Sequence, residues 1–294
     1  LEIVRLVSEG KIFVELEHAR ATLLYAAILE SEGNTSGAAD AMHGVAIETF
    51  GSVAKYERVS FLLDQIRLLL AVGQYSKATV ACRKITTKTF EPADEYEQLR
   101  LKYLELAIQL SLHDDKYLDC SSHYLAIYNL PSVQSNNEAA LAALRHAVLL
   151  ACLAPHLGCE QIDRLNQLSR EKPVESGQLS LYRDLLKTFL TPELVRWPLV
   201  EAAFGAELRS FPVIFGSDVS DSDGARRWRH LRDRVIEHNI RTIASVYDRI
   251  SLPRFAQLLD LSIDDAEETL CRLVSKDKMV HALIDRTDGI VSFT

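Results

Sequence analysis

Glycine and proline are scarce in this sequence. The 294 residues include 12 Gly and 8 Pro, about 7% of the chain, whereas an average protein has about 12%. A sheet-rich fold needs many tight turns, and these two residues favour them. The composition therefore favours a mostly helical fold. With 48% apolar and 25% charged residues, it is typical of a folded globular protein.

Long apolar runs and paired thiols are missing as well. The longest apolar stretches, such as residues 147–154, are far shorter than the ~18 residues of a membrane span. The five cysteines include no Cys-x-x-Cys pair, which argues against a zinc site or a disulfide framework. It predicts a reduced, intracellular protein with buried thiols. No signal peptide is recognisable, and because the first residue is Leu we expect the natural chain to begin upstream.

The usual signatures of catalysis and cofactor binding are also absent from the sequence. It holds no phosphate-binding loop, dinucleotide fingerprint, zinc-protease motif, nucleophile elbow or calcium loop. His230 and His238 lie eight residues apart on one predicted helix, with no third ligand evident, so we interpret them as helix-surface or interface residues. We accordingly predict no enzyme activity, no catalytic residues, no metal and no cofactor.

A 40-residue repeat is visible in the first half of the chain. Gly33, Gly73 and His113 lie 40 residues apart, and each ends an apolar helical stretch. Gly is favoured after a helix because it adopts positive φ cheaply. Five residues after each of these positions the sequence has Ala38, Ala78 and Leu118. The pattern predicts an α-solenoid of helix pairs, similar to tetratricopeptide (TPR) repeats.

Apolar residues spaced three and four apart predict further helices. These helices cover residues 57–72, 96–112, 137–154, 159–171, 178–190, 192–210 and 225–249. Thr191-Pro192-Glu193 is typical of a helix start. Residues 211–224, with Phe-Pro and a Ser/Asp run, are the candidate mobile loop. The helix after it has two apolar faces, which indicates packing between two bodies.

The end of the chain has the pattern of a winged helix. Two short helices, Pro253–Leu259 and Ser262–Lys276, precede two alternating segments, Met279–Ile284 and Ile290–Phe293, joined by a Gly-containing turn. The second helix begins with Asp264, Asp265, Glu267 and Glu268. Because these acids would repel phosphate, we predict that the module binds protein rather than DNA. The hairpin would offer an open strand edge to another chain.

The basic run at residues 226–234 has two interpretations. It contains five arginines around Trp228, so it could bind nucleic acid, or it could be a solvated helix face that pairs with acids. Surface charge runs usually solvate, and the net charge of −8 disfavours a general polyanion binder. We favour the second interpretation. The candidate partner interface comprises Met279, Val280, His281, Ala282, Leu283, Ile284, Arg226, Arg229 and Arg232.

Helical repeats that lead into a winged helix resemble the PCI family, which occurs in the proteasome lid, the COP9 signalosome and a translation initiation factor complex. Within it, ordered blocks are similar to the non-ATPase regulatory subunit 12 family of the 26S proteasome. The strongest block is Arg234–Arg241, and other blocks are Glu48–Ser52, Tyr182–Lys187 and Ala256–Ser262. The signalosome subunit 4 family is the alternative, since it resembles Ile236–Asn239 and Asp288–Val291. Glu48–Ser52 and Ala256–Ser262 favour the proteasome family.

The resemblance implies a mostly all-α fold. A TPR-like solenoid would occupy residues 1–175 and a PCI domain residues 176–294, with a helical part at 176–224 and a long helix plus winged helix at 225–294. It implies a non-catalytic scaffold of the proteasome lid, in the cytoplasm and nucleus. The implied partners are other PCI subunits and the deubiquitylating metalloprotease of the lid and, by extension, the base and core. It implies a hetero-oligomer without nucleic acid or membrane. The family carries a further C-terminal helix, whereas this sequence ends at Thr294.

Overall fold

The computed structural model describes residues 14–47, 50, 53–91, 93–156, 159–216, 222–276 and 281–293. The chain divides into two compact units. The first comprises Leu1–Lys116 with Asn129–Val133, and the second comprises Tyr117–Tyr128 with Gln134–Thr294. No helix among these described residues is long and apolar enough to cross a membrane.

The first unit is built from helix pairs. Its main helices are α1 (Glu15–Ser31), α2 (Thr35–His43), α3 (Lys55–Ala71), α4 (Tyr75–Arg83) and α5 (Ala93–His113). The first two pairs are copies at a spacing of 40 residues, with 17 residues in each first helix and nine in each second. Gly33 and Gly73 have φ of 80° and 77° at the turns, and Ala38 and Ala78 are completely buried behind them. The predicted repeat is confirmed for these two turns.

The third turn does not follow the predicted spacing. Helix α5 continues through His113, and the left-handed residue is Asp115, with φ of 54°. Asp tolerates this conformation better than most residues because its short polar side chain bonds locally. The helix is longer than its counterparts, so the equivalent of Ala38 is Cys120, which is completely buried, rather than Leu118.

Salt bridges between successive helix pairs also follow the repeat. Three of them join residues 37 positions apart, namely Arg20–Glu57, Glu30–Arg67 and Asp40–Lys77. All six side chains are at least one-third exposed, so each bridge contributes little stability. The stability of this unit comes from its core, in which Phe61, Ile66 and Leu69 are completely buried.

The second unit begins with helices that surround an apolar centre. These are α6 (Tyr117–Tyr128), α8 (Asn137–Leu153), α9 (Glu160–Ser169), α11 (Ser180–Leu190), α12 (Trp197–Arg209) and α14 (Ser222–Val246), with short turns α10 (Lys172–Glu175) and α13 (Pro212–Phe215). The short turn α7 (Pro131–Gln134) follows α6 in the chain, and its residues 131–133 belong to the first unit. The apolar run at 147–154 is completely buried. Ser121 Oγ donates to the Ala147 carbonyl at 2.8 Å, which satisfies a hydroxyl inside this core.

Helix α14 joins the two parts of the second unit. Leu231 and Val235 are buried on one face, whereas Ile236, Ile240 and Ile243 belong to the core of the winged helix. The predicted two-faced helix is therefore confirmed, although it spans residues 222–246 rather than 225–249.

The predicted start of the helix at Thr191-Pro192-Glu193 is wrong. Helix α12 begins at Trp197, with Pro198 in its first turn. The backbone before it is held extended by a side-chain amide, because Asn239 Oδ1 accepts from the Val195 N–H at 2.8 Å and Asn239 Nδ2 donates to the Val195 carbonyl at 2.7 Å. This pair of bonds replaces those that a helix would provide.

The predicted loop at 211–224 is partly helical. Residues 212–215 form α13, and α14 already begins at 222, while 217–221 lie outside the described residues. A Cβ on Gly224 would lie 1.9 Å from the Phe215 carbonyl oxygen, so the close approach of these segments requires glycine. Buried Arg227 donates from Nη1 to the Ile214 carbonyl at 2.9 Å, and this bond connects α14 to α13.

The winged helix contains three strands rather than the predicted two. Strand β1 (Arg249–Ser251) precedes α15 (Leu252–Leu259) and α16 (Ile263–Lys276), and β2 (Ala282–Asp285) and β3 (Ile290–Phe293) follow. The antiparallel order is β1-β3-β2. A strand of three residues is too short to show alternation, which explains why sequence periodicity missed β1.

The thiols give a direct test of the packing. The prediction of buried thiols is correct for Cys82, Cys120 and Cys152 and wrong for Cys159 and Cys271, which are exposed. Burial raises the pKa of Cys82 to about 11 and also raises that of Cys152, so both are poor nucleophiles.

We expect a maleimide to label Cys159 and Cys271 rapidly in the native protein. Cys82, Cys120 and Cys152 should react only in denaturant, because burial blocks access and suppresses the thiolate. Peptide mass spectrometry after timed quenching measures this. Native labelling of Cys120 or Cys152 at the rate of the exposed pair would contradict the packing.

Candidate protein-interaction site

Two residues of the winged helix define where α15 ends and where α16 begins. Asp260 ends α15 in the left-handed conformation, with φ of 55°. Ser262 then caps α16, since its Oγ accepts from the Asp265 N–H at 3.1 Å and donates to Asp265 Oδ2 at 2.7 Å. These contacts fix the turn between α15 and α16. Asp265, one of the four predicted acids, therefore has a structural role.

The backbone of β2 has one free edge among the described residues, because β2 lies at the end of the sheet. The Phe293 N–H donates to the Asp248 carbonyl, and the Leu252 N–H donates to the Gly289 carbonyl. Alternate residues of an antiparallel strand bond to opposite neighbours, so the odd-numbered residues of β3 bond towards β1 and the even-numbered ones towards β2.

The register then decides which residues of β2 point outward. Leu283 is opposite Ser292, and Asp285 is opposite Ile290, so these two use their backbone groups inside the sheet. Ala282 and Ile284 direct theirs to the free edge. An extended segment of another chain could bond there.

An apolar groove runs beside this edge. It has a volume of about 440 Å³ and lies between α16 and β2. Its apolar lining residues are Leu270, Val274, Ala282, Leu283 and Ile284. Leu283 is 69% exposed, which is unusual for a leucine within a strand. Arg286 bonds from Nε to Glu267 Oε1 at 2.7 Å at the groove.

We call the free edge of β2 together with this groove the edge surface. Of the predicted interface residues, Ala282, Leu283 and Ile284 belong to it. His281 is exposed immediately before the strand. Met279 and Val280 lie outside the described residues.

The arginine run divides between two roles. Arg227 and Arg234 are structural, since Arg227 bonds to the Ile214 carbonyl and Arg234 pairs with Glu237 at 2.9 Å. Arg226, Arg229 and Arg232 line one groove of about 550 Å³ between α14 and α16. We call it the arginine groove.

Acids from the same unit share the arginine groove. Asp233, Asp265 and Glu268 line it together with Arg272, and Arg272 lies 3.8 Å from Asp233. Arg226 pairs with Asp223 at 3.3 Å. This mixture of charges agrees with the interpretation of the run as a solvated helix face.

The two helix histidines have structural contacts. His230 Nδ1 lies 2.7 Å from the Tyr117 hydroxyl. His238 is buried, contrary to its interpretation as a helix-surface or interface residue, and its Nε2 lies 3.1 Å from the Glu193 carbonyl. Burial lowers the pKa of His238. Among the residues that the structure describes, no group of three His, Cys, Asp or Glu could hold a metal.

The comparisons with known proteins agree with this architecture. A family profile described as "PSMD12/CSN4, N-terminal" matches residues 1–136, and the PCI domain profile matches residues 209–294. The 26S proteasome non-ATPase regulatory subunit 12 homolog A of Arabidopsis thaliana is 35% identical over 309 residues, with 98% of this chain and 68% of that protein covered. The chain belongs to the family of 26S proteasome non-ATPase regulatory subunit 12.

Other members of the subunit 12 family match over the whole chain. The 26S proteasome regulatory subunit rpn501 of Schizosaccharomyces pombe is 40% identical over 293 residues, and RPN5 of Saccharomyces cerevisiae is 35% identical over 293 residues. The chain spans 64% of the length of each of these two relatives. The N-terminal profile joins the subunit 12 and CSN4 families, but these relatives carry proteasome names, so the signalosome alternative has less support.

The structure also explains the strongest sequence block of the resemblance. Within Arg234–Arg241, Glu237 forms ion pairs with the arginines at both ends of the block. His238 and Asn239 contact the backbone of residues 193–195, and Ile236 and Ile240 belong to the winged-helix core. Apolar periodicity predicted the buried face that holds Ile236 and Ile240, but it did not predict the contacts of His238 and Asn239, since their partners lie about 45 residues away.

Proposed function

We propose that the chain acts as a non-catalytic scaffold in the lid of the 26S proteasome regulatory particle, and that it joins a neighbouring PCI subunit through the edge surface. The observation that supports this most directly is the outward backbone of Ala282 and Ile284 beside the exposed Leu283. A free strand edge next to an apolar groove is suited to adding a strand from another protein.

The proposed partners follow from the family. They are other PCI subunits of the lid and its deubiquitylating metalloprotease, which this scaffold would help to position for the degradation of ubiquitylated proteins, with the base and core joined by extension. The proposed assembly is a hetero-oligomer that works in the cytoplasm and nucleus. The division into a solenoid at 1–175 and a PCI domain at 176–294 stays a prediction.

The test is affinity purification of the tagged full-length protein from its own cells at low salt, followed by mass spectrometry. Recovery of lid, base and core subunits supports the proposal. Recovery of signalosome subunits without the core, or recovery of neither complex, would overturn it.

The arginine groove is proposed as a second, electrostatic contact. We expect the double charge reversal Arg229→Glu and Arg232→Glu to weaken lid assembly roughly tenfold at low salt and much less at 0.5 M salt, because salt screens exposed charges. Assembly is measured by titration of the variant into the remaining purified lid subunits.

A matched control is the pair Arg83→Glu and Arg254→Glu, which reverses two exposed arginines outside both surfaces. It should assemble like the wild type. Equal affinity of the Arg229/Arg232 variant and the wild type at low salt would contradict a role for the groove.

A further inference from the structure

A small pocket in the second unit is lined by both charged and apolar residues. It has a volume of about 200 Å³ and lies between α9, the end of α11 and α14. Its apolar walls are Ile162, Leu165, Phe189 and Pro192, and its ionised residues are Arg234, Arg241 and Glu237. It is separate from the edge surface and from the arginine groove, whose lining residues are different.

The charges around the pocket favour an anion. With the histidines taken as neutral, the ionisable lining residues are two arginines and one glutamate, a formal charge of +1. Asp233 and Arg272, which also act on Glu237, pair with each other at 3.8 Å and leave this balance unchanged. An anion with a single charge would complement it.

Arg234 supplies a donor for such an anion. Its side chain is 16% exposed, and its Nη1 bonds to Glu237 Oε2 at 2.9 Å. Its buried Nε–H has no hydrogen-bond partner among the described residues. This Nε–H is closed to solvent as well, so a ligand in the pocket would meet other atoms of Arg234 and of Arg241, both of which line the pocket. Guanidinium groups bind carboxylates through charge-assisted hydrogen bonds.

The walls and the size define the rest of the ligand. A volume of 200 Å³ corresponds to about seven water molecules, so a ligand of similar heavy-atom count fits. Branched and aromatic side chains on the walls favour a short apolar stem over a phosphate or sulfate. We propose that this pocket binds a carboxylate on a short, branched apolar stem, either a free acid or the C-terminal residue of a peptide.

The probe is 3-methylbutanoate, compared with its neutral amide, 3-methylbutanamide. We expect the acid to shift the Arg234 Nε–H signal in a ¹H–¹⁵N spectrum and the amide to leave it in place, because only the acid carries the charge. Equal binding of the amide would overturn the proposal.

Two variants separate ligand binding from folding. Arg234→Lys keeps the charge beside Glu237 but removes the planar guanidinium fork, and Ile162→Glu places a competing carboxylate at a position 41% exposed on the pocket wall. Each should weaken binding of the acid at least tenfold in calorimetry, while Val80→Glu, at a position 55% exposed in the other unit, should bind like the wild type. Wild-type affinity in both pocket variants would contradict the site.

A further binding measurement identifies whether the carboxylate comes from a free acid or from a peptide. An acetylated tripeptide Gly-Gly-Leu with a free C-terminus is compared with 3-methylbutanoate. Tighter binding of the peptide would support the site and assign it to a chain terminus, whereas binding of the free acid alone would support it as a metabolite site. Binding of neither would overturn it. Since the pocket is separate from the edge surface, each result stands apart from the scaffold proposal.

Discussion

Replacing Leu283 by Lys should weaken assembly with the other lid subunits by roughly 100-fold or more. This residue is 69% exposed in the isolated chain and lies at the groove beside the free strand edge. Burial of a leucine at a contact contributes about 2 kcal/mol, and a lysine in its place would bring a charge into an apolar contact. Titration into the remaining lid subunits measures the change.

The matched control is Leu199→Lys. Leu199 is 66% exposed on α12, so its substitution makes the same chemical change at a position of similar exposure. Both variants should unfold at the wild-type temperature. If the Leu283 variant assembles as tightly as the Leu199 variant, the edge surface is not the interface.

A proline at position 282 separates backbone bonding from side-chain contact. Ala282→Pro removes an N–H that faces the free edge, while Leu283 and Asp285 keep their bonds to β3. The variant should therefore remain folded and lose assembly. A folded Ala282→Pro variant that assembles normally would rule out strand addition.

Replacing Arg234 by Ala should reduce the free energy of unfolding by roughly 3 kcal/mol near neutral pH. Arg234 and Glu237 are 16% and 11% exposed and lie 2.9 Å apart. Loss of the arginine leaves the buried carboxylate with Arg241, whose Nη2 lies at 3.7 Å, and with the weaker influence of Arg272. Denaturant titration monitored in the second unit measures the change.

The loss should depend on pH in a defined direction. Burial raises the pKa of Glu237, against the opposing effect of Arg234, so removal of Arg234 raises that pKa further. A raised pKa in the folded state means that the neutral acid is tolerated at low pH and that stability falls as pH rises and the group ionises. The difference between variant and wild type should therefore be small near pH 5 and grow towards pH 8.

Arg254→Ala is the control for this experiment. Arg254 is exposed and bonds to Gln257 at 2.6 Å on the helix surface, so its loss should cost less than about 0.5 kcal/mol at every pH. A pH-independent loss in the Arg234 variant would contradict the assignment of the effect to Glu237.

Local patterns predicted much of the fold. The glycine turns at 33 and 73 and the apolar periodicity gave the first helix pairs, because a positive φ and a buried helix face leave direct marks in the sequence. The third turn was predicted at His113 rather than at Asp115, because an aspartate does not indicate a positive φ as clearly as a glycine does. The helix start near 192 was wrong because a residue 44 positions away, Asn239, decides that backbone.

The sequence predicted part of the candidate site, namely its strand, but not the residues of that strand that face outward. Alternation around Leu283 predicted a strand with a free edge, but the outward residues depend on strand β1, which is too short for a periodic signal. The separation of Arg227 and Arg234 from the groove arginines depends on partners at Ile214 and Glu237. Charge composition alone does not distinguish a structural arginine from a solvated one.

The most direct test of the scaffold proposal is amide hydrogen exchange in strand β2, measured in the free full-length protein and in the assembled lid. In the free protein, the amides of Leu283 and Asp285 should be protected and those of Ala282 and Ile284 should exchange fast. Assembly should protect Ala282 and Ile284 as a new strand bonds to them. If the chain enters the lid while these two amides still exchange at the free rate, the proposed interface is wrong.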